Sequence, residues 1–374
     1  MKIESFAVEE WLTRYEQQAE INLAETSVSA LSLQELLDLT ASGEEFMQQL
    51  LATRLSYGQI PGSLRLRKAV AATYQTVSAE QVTITHGTIG ANHLVHLSLV
   101  NPEDHVITFA PSYQQHQALA ESIGAQVTVL TLKEQNRFLP DPADIQAAIR
   151  PNTKLICLTN PNNPSCTLMG RQLLQEVCEQ ARQVGAYILS DEVYRGAEAD
   201  GVEAAPAIVD LYEKGISTGG VSKALSLPGL RLGWIAAPQK LLADINKQRD
   251  YSIISVGAID DLLAALALEN REILLERSRR ILSGNREIIQ AWLAQEDRVS
   301  WCAPDAGSSA LLKIPSQLPD QDFALGLLKT RGVLLVPGSC FDIPGYYRLG
   351  YTSSQETLRR GLAEISAYLT ELEN

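Results

Sequence analysis

No run in this 374-residue chain approaches the roughly 18 uninterrupted apolar residues of a membrane-spanning helix. The first twenty residues are too acidic for a secretory signal, so a cytoplasmic protein is expected. Cationic side chains are in deficit: 31 Lys and Arg face 44 Asp and Glu, a formal charge of −13. That argues against the clustered basic surface which nucleic acids and anionic membranes require, and it points towards small-molecule chemistry. Cysteines are few and scattered. Cys157, Cys166, Cys178, Cys302 and Cys340 are odd in number and show no CxxC spacing. Neither zinc nor a redox pair is indicated, and reduced packing residues are expected. The phosphate fingerprints GxGxxG and GxxxxGK(S/T) are missing, as are internal repeats, low-complexity tracts and long linkers.

What is present is an ordinary globular composition, 45% hydrophobic and 20% charged, on a chain too long for one growing core. Short β-branched runs alternate with helix-like segments from Gln81 onward, at 81–85, 105–109, 126–130, 154–158, 187–191, 217–220 and 232–236. The pattern predicts an α/β domain with a mostly parallel seven-stranded sheet flanked by helices. Helical periodicity then takes over at 260–268 and 272–294, followed by strand signals at 311–314, 333–336 and 347–349 and an amphipathic stretch over 355–372. With two N-terminal helix patterns, 8–18 and 32–39, these predict a smaller α+β domain. The expected division is 46–282 for the large domain and 1–45 with 283–374 for the small one.

Four segments carry residue types suited to chemistry. In "STGGVSKALSLPGLRLGW" a strand end meets a small-residue turn holding Lys223, with Arg231 eight residues on. A lone lysine is ordinarily a solvated charge, but a tight, partly desolvated turn lowers its pKa and frees the amine as a nucleophile. In "YILSDEVY" an apolar strand ends on Asp191, the place where open α/β sheets meet their ligands; a helix-capping Asp is the alternative. "LTNPNNPSCT" runs a strand end into turn residues and brings the Asn163 amide to the same edge, although Asn-Pro repeats commonly mean only a turn. "THGTIGANH" joins strand to helix through Gly87 and Gly90, a junction whose free N–H groups suit an anion.

Taken in order, "YGQIPGSLRLRKAV" (57–70), the Gly87 turn, "PSY" ending at Tyr113, "NPNNP", "SDEVY", the lysine segment, "PGSCF" (337–341) and "YYRLGY" (346–351) resemble the fold-type I aminotransferases of class I/II, the aspartate aminotransferase-like group. The resemblance covers nearly the whole chain. The "NPNNP" and "SDEVY" forms look closer to capreomycidine synthase-like and broad amino-acid aminotransferases than to the aspartate enzymes. It implies the cofactor pyridoxal 5'-phosphate (PLP), held as a Schiff base on Lys223, which also moves the proton. By the same resemblance Asp191 pairs with the pyridine nitrogen, Tyr194 and Asn163 hold the ring's phenolate oxygen, and Tyr113 stacks on the ring. Gly87, Thr88, Ile89, Ser222 and Arg231 surround the phosphate, and Tyr57 reaches the phosphate of a partner subunit, implying a homodimer. Arg348, with Asn163, takes the substrate carboxylate. The implied reaction moves an amino group from an amino acid to a 2-oxo acid. A lyase, a capreomycidine synthase-like cyclase or an oxidase on the same cofactor is the alternative.

Two positions depart from the family pattern: Gly220 stands where a phosphate-binding serine is usual, and Cys166 replaces the glycine after "NP". The first weakens phosphate binding unless Ser222 or Thr218 supplies the hydroxyl, and the second leaves the loop after Asn163 in question. His93 and His96 share a helix face, but a metal would need carboxylate or thiolate ligands beside them; core or surface histidines and no metal are expected. Cys166 with one of the five histidines is a rival nucleophile with no supporting context. Glu25, in "NLAETS", points to an amine-bearing substrate side chain, with an ordinary surface carboxylate as the alternative.

Overall fold

Residues 2–373 are described by a computed structural model. All seven strand patterns become strands: β1 (Val82–His86), β2 (His105–Ala110), β3 (Gln126–Thr131), β4 (Thr153–Thr159), β5 (Tyr187–Asp191), β6 (Gly215–Gly220) and β7 (Leu232–Ala236). They form one sheet in the order β1-β7-β6-β5-β4-β2-β3. Every neighbouring pair is parallel except those involving β7, which runs against both β1 and β6.

The alternation of side chains along each strand builds two layers. Leu155, Cys157 and Leu189 pack with Leu94 and Val95 of helix Gly87–Leu99 and Ile245 of helix Gln239–Asp250 on one face. Ile156, Leu158 and Ile188 pack with Leu174, Val177 and Ala181 of helix Arg171–Val184 on the other. Helix Arg171–Val184 ends on Gly185 in the left-handed conformation, so its last carbonyls are closed by the following amides.

The connection from β6 to β7 is a hairpin loop, residues 221–231, because these neighbours are antiparallel. It is tied down internally, with Leu227 N donating to Val221 O at 3.0 Å and Ser226 N to Lys223 O at 3.1 Å.

The second sheet is antiparallel, β8 (Ser300–Cys302), β9 (Ser309–Lys313), β10 (Val336–Pro337) and β11 (Tyr346–Gly350), in the order β10-β11-β9-β8. A short parallel pairing joins Ile21–Asn22 to Val333–Leu334. Helices Gly43–Ala52, Leu64–Ala71 and Asp320–Arg331, which the periodicity did not single out, complete the framework. The sequence divisions at 45/46 and 282/283 fall inside helices Gly43–Ala52 and Arg271–Leu293. One hydrophobic cluster crosses both, joining Val8 and Leu23 to Ile84, Leu312 and Leu358.

Candidate active site

Strands β4, β5 and β6 end side by side, and a cavity of about 460 Å³ opens at their carboxyl edge. Thr88, Ile89, Tyr113, Asn163, Asp191, Tyr194, Ser222, Lys223, Arg231 and Arg348 all line it. Residues 260 positions apart in sequence thus meet in one pocket. Gly87 lies just behind: a Cβ built on it meets Arg231 Nη2 at 3.0 Å. Tyr57 does not line the cavity and stands 83% exposed, beside other exposed apolar side chains such as Leu55.

Asp191 is buried at the end of β5. Its Oδ2 accepts from Asn92 Nδ2 at 2.8 Å and its Oδ1 from Val193 N at 3.1 Å, and it joins no ion pair among the described residues. Burial raises its pKa from the ordinary 3.8 to about 6, against the opposing pull of these donors and of the Lys223 charge. Asn92 is itself fixed by Thr218, whose hydroxyl donates to Asn92 Oδ1 at 2.7 Å. Thr218 is therefore spent beneath the carboxylate, which corrects the expectation that it supplies a phosphate hydroxyl.

Lys223 stands half-buried in the hairpin. Its Nζ donates to Thr26 Oγ1 at 2.7 Å and approaches Ser27 Oγ at 3.4 Å. Burial lowers its pKa, Glu25 and Glu9 oppose that shift, and the Arg348 charge adds to it. Arg348, on β11, is 3% exposed and lies over the Phe341 ring. Its Nη1 donates to Asn163 Oδ1 at 3.2 Å and its Nη2 to Ala24 O at 3.0 Å, while Nε is buried with no partner among the described residues. An anionic ligand group in the cavity would satisfy such an unmatched buried N–H.

Gly220 has a steric explanation. A Cβ at this position meets Thr88 Oγ1 at 2.5 Å, so the threonine hydroxyl fills the room a serine would need. That hydroxyl is buried and has no partner among the described residues. A hydroxyl donor at this edge is kept, moved from β6 to the first turn of helix Gly87–Leu99. The approach of that turn to β7 needs Gly233, whose absent Cβ would fall 2.4 Å from Thr88 N. Cys166 adopts φ 54°, the left-handed geometry a glycine prefers, so the loop after Asn163 keeps a glycine's path. Its carbonyl accepts from Asp305 N and Ala306 N, and burial pushes the thiol's pKa up, which suits packing rather than nucleophilic attack.

Of the two histidines that share a helix face, His96 is a buried core histidine and meets His116 and Cys157, with possible ligand atoms within 4.8 Å of one another and all three side chains buried. His96 Nδ1 lies 2.9 Å from Asn92 O, so this group sits directly under the residue that holds Asp191.

Sequence reasoning missed Asn92, Thr26, Ser27 and Glu9, whose Oε1 accepts from the Tyr113 hydroxyl at 2.9 Å. Asn92 had a signal: an amide among the apolar Ala91, Leu94, Val95 and Leu99 of this helix needs a buried partner. Thr26 and Ser27 had none, since they meet Lys223 only through the tertiary fold.

The cavity suits PLP on the chemistry of its donors. An ionised ring nitrogen would match the buried, cation-free Asp191. A phosphate would match the helix N-terminus at Gly87, the orphaned Thr88 hydroxyl and Arg231. A family model for aminotransferase class I and II matches residues 21–365. The chain is 31% identical over 365 residues to capreomycidine synthase of Streptomyces vinaceus, covering 97% of this chain and 93% of that protein. It is 28% identical to the arginine–pyruvate transaminase of Pseudomonas aeruginosa, over 87% and 85%. Among solved structures, a PLP-dependent aminotransferase from Streptococcus suis 89-1591 superposes with a TM-score of 0.97 at 43% identity over the whole of both chains. The PLP-dependent cyclase OrfR superposes with a TM-score of 0.91 at 26% identity over 99% and 98%. With the motifs in order and the strand ends converging as they do, this chain belongs to the class I and II aminotransferases, the PLP-dependent enzymes of fold type I.

Proposed function

We propose that the protein is a PLP-dependent aminotransferase that moves an amino group from an amino acid to a 2-oxo acid, working as a homodimer. The observation that carries this reading is the meeting of the Lys223 amine, the cation-free Asp191 carboxylate and the Arg348 fork in one cavity. PLP, attached through Lys223, supplies a ring that withdraws electrons from the substrate's Cα–H bond.

The rest falls to the chain. Lys223, whose pKa burial lowers, is the group placed to move the Cα proton, and Thr26 and Ser27 give its amine a fixed resting place. Asp191 keeps the ring nitrogen protonated. Tyr194 and Asn163 hold the ring oxygen, and Tyr113 covers its face. Gly87, Thr88, Ile89, Ser222 and Arg231 bind the phosphate, and Arg348 takes the substrate carboxylate with its unmatched Nε. In this reading 46–282 is the cofactor domain, while 1–45 and 283–374 bring Thr26, Ser27 and Arg348 to it. Tyr57, exposed with Leu55 on the same segment, faces the second subunit's site.

The cyclase reading draws on the likeness to capreomycidine synthase and OrfR, and one experiment separates the two. Holoenzyme in excess of an amino donor should release one 2-oxo acid per cofactor converted to its amine form, without free ammonia, and an added 2-oxo acid should restore the starting spectrum. Ammonia or a cyclised product forming while the cofactor stays an aldehyde overturns the aminotransferase reading in favour of a lyase or cyclase.

A further inference from the structure

The cavity's charges divide unevenly. Arg231, Lys223 and Arg348 line it together with Asp191 and three more carboxylates, Glu9, Glu16 and Glu25, all from the N-terminal segment. In the site proposed above, Arg231 answers a phosphate, Arg348 an α-carboxylate and Asp191 a ring nitrogen. Glu9, Glu16 and Glu25 are then left without a dedicated cation, because Lys223, whose charge reaches Glu25 and Glu9, is committed to the cofactor in that site. None joins an ion pair among the described residues; the pair on the same helix, Arg14–Glu10, involves its neighbour. Neutral donors hold all three in place instead: the Tyr113 hydroxyl on Glu9, Asn22 Nδ2 on Glu16 at 3.2 Å, and the amides of Thr26 and Ser27 on Glu25. Such donors fix a carboxylate without cancelling its charge. Burial pushes the Glu25 pKa up, but the Lys223 charge and these bonds outweigh it and the net shift is downward, so this residue stays ionised.

A second, independent observation points to a ligand beside them. Residues 24–26 touch both ends of the proposed reaction centre: Ala24 O takes Arg348 Nη2, and Thr26 Oγ1 takes Lys223 Nζ. The neighbouring Arg348 Nε is buried and has no partner among the described residues. Glu25 thus lies in the chain between the group that would grip a carboxylate and the group that would meet the amine. Val8 and Leu12, one helical turn apart on the helix that carries Glu9, add apolar wall to the same cavity.

We propose that the substrate is an amino acid with a cationic side chain, its methylene stem lying on Val8 and Leu12 and its guanidinium or ammonium group taken by Glu25 and Glu9. The inference rests on the proposed site but not on the reaction outcome, since a cyclase or lyase would need the same recognition. Arginine and citrulline provide the test, having nearly the same shape and differing in charge. Equilibrium binding to the holoenzyme is followed by the cofactor's absorption and by Tm, and half-reaction kcat/KM is measured alongside. Arginine should be favoured over citrulline by about tenfold or more, glutamate should bind weakest, and the preference should shrink as salt is raised. Glu25→Gln and Glu9→Gln keep the hydrogen-bond acceptor and remove the charge, and each should lower the arginine-to-citrulline ratio. A ratio near one in the wild type, or a ratio unmoved in both variants, overturns the inference and leaves the site intact. Failure of every amino acid to perturb the cofactor would instead overturn the proposed function.

Discussion

Asp191 is a buried carboxylate that joins no ion pair among the described residues, and burial outweighs the pull of the Lys223 charge, so the fold should bear a measurable penalty for its charge. Its pKa rises from the ordinary 3.8 to about 6 on folding. A raised carboxyl pKa means that the folded state prefers the proton, so the wild type is most stable below the unfolded pKa and loses stability as pH rises from about 4 to about 6. Two pKa units correspond to about 3 kcal/mol. Asp191→Asn removes the charge and leaves every other titrating group in place, including Glu192, which burial lifts to about 7. The stability of the variant relative to the wild type should therefore climb by about 3 kcal/mol between pH 3.5 and 7.5. Urea unfolding of the PLP-free proteins across that range measures it. The climb stands whether or not the new amide pairs well with Asn92, because a mismatch shifts the difference equally at every pH. With PLP added, the sign should reverse near neutral pH, the wild type gaining more from the cofactor than the variant does. A stability difference that stays flat with pH would refute the account of Asp191 as an uncompensated charge.

Lys223→Ala should abolish the borohydride-fixed attachment of cofactor to chain, read by mass spectrometry; attachment surviving in the variant would remove Lys223 from its proposed role. Arg348→Lys keeps the charge but loses the fork, so kcat/KM for amino acids should fall by about 10- to 100-fold, with primary amines lacking a carboxylate much less affected. Equal losses for both classes would make Arg348 structural. Gly220→Ser should lower stability by about 1–3 kcal/mol through its collision with Thr88, and Thr88→Ala in the same chain should recover much of that loss. Strictly additive effects in urea unfolding would contradict the exchange of hydroxyl for space between the two positions.

The sheet was legible because each of its strands is a short β-branched run whose two faces bury different clusters, and a propensity pattern and a burial pattern then coincide. Arg348, Asp191, Asn163 and Lys223 were legible as candidates for another reason: each lies within a recognisable word, Asp191 at the end of β5, Asn163 and Lys223 in the loops just after β4 and β6, and Arg348 in the middle of β11. The departures were read less well. Gly220 looked like a missing hydroxyl because its replacement, Thr88, lies 132 positions away in sequence and meets it only across β7. Cys166 looked like a broken loop because backbone conformation, rather than side-chain identity, is what the position requires, and a left-handed φ at a cysteine leaves no trace in the sequence. Thr26 and Ser27 were invisible for want of any local pattern. Helices Leu64–Ala71 and Asp320–Arg331 were passed over because they are short or weakly amphipathic beside their neighbours.

The reversed course of β7 has a consequence for how freely this chain can vary in length. Elsewhere in the sheet a parallel strand must be reached by a crossover that leaves the cavity edge and returns, so residues added on the far side need not disturb the groups at the strand ends. Between β6 and β7 the chain never leaves that edge. Lys223 and Arg231 are carried on the same eleven-residue loop, pinned at one end by the Gly220–Gly233 pair and inside by its own hydrogen bonds. One residue inserted between them would move the amine and the guanidinium relative to each other with no slack to absorb the change. Homologous chains should therefore differ in length at their crossovers and agree, residue for residue, across this hairpin.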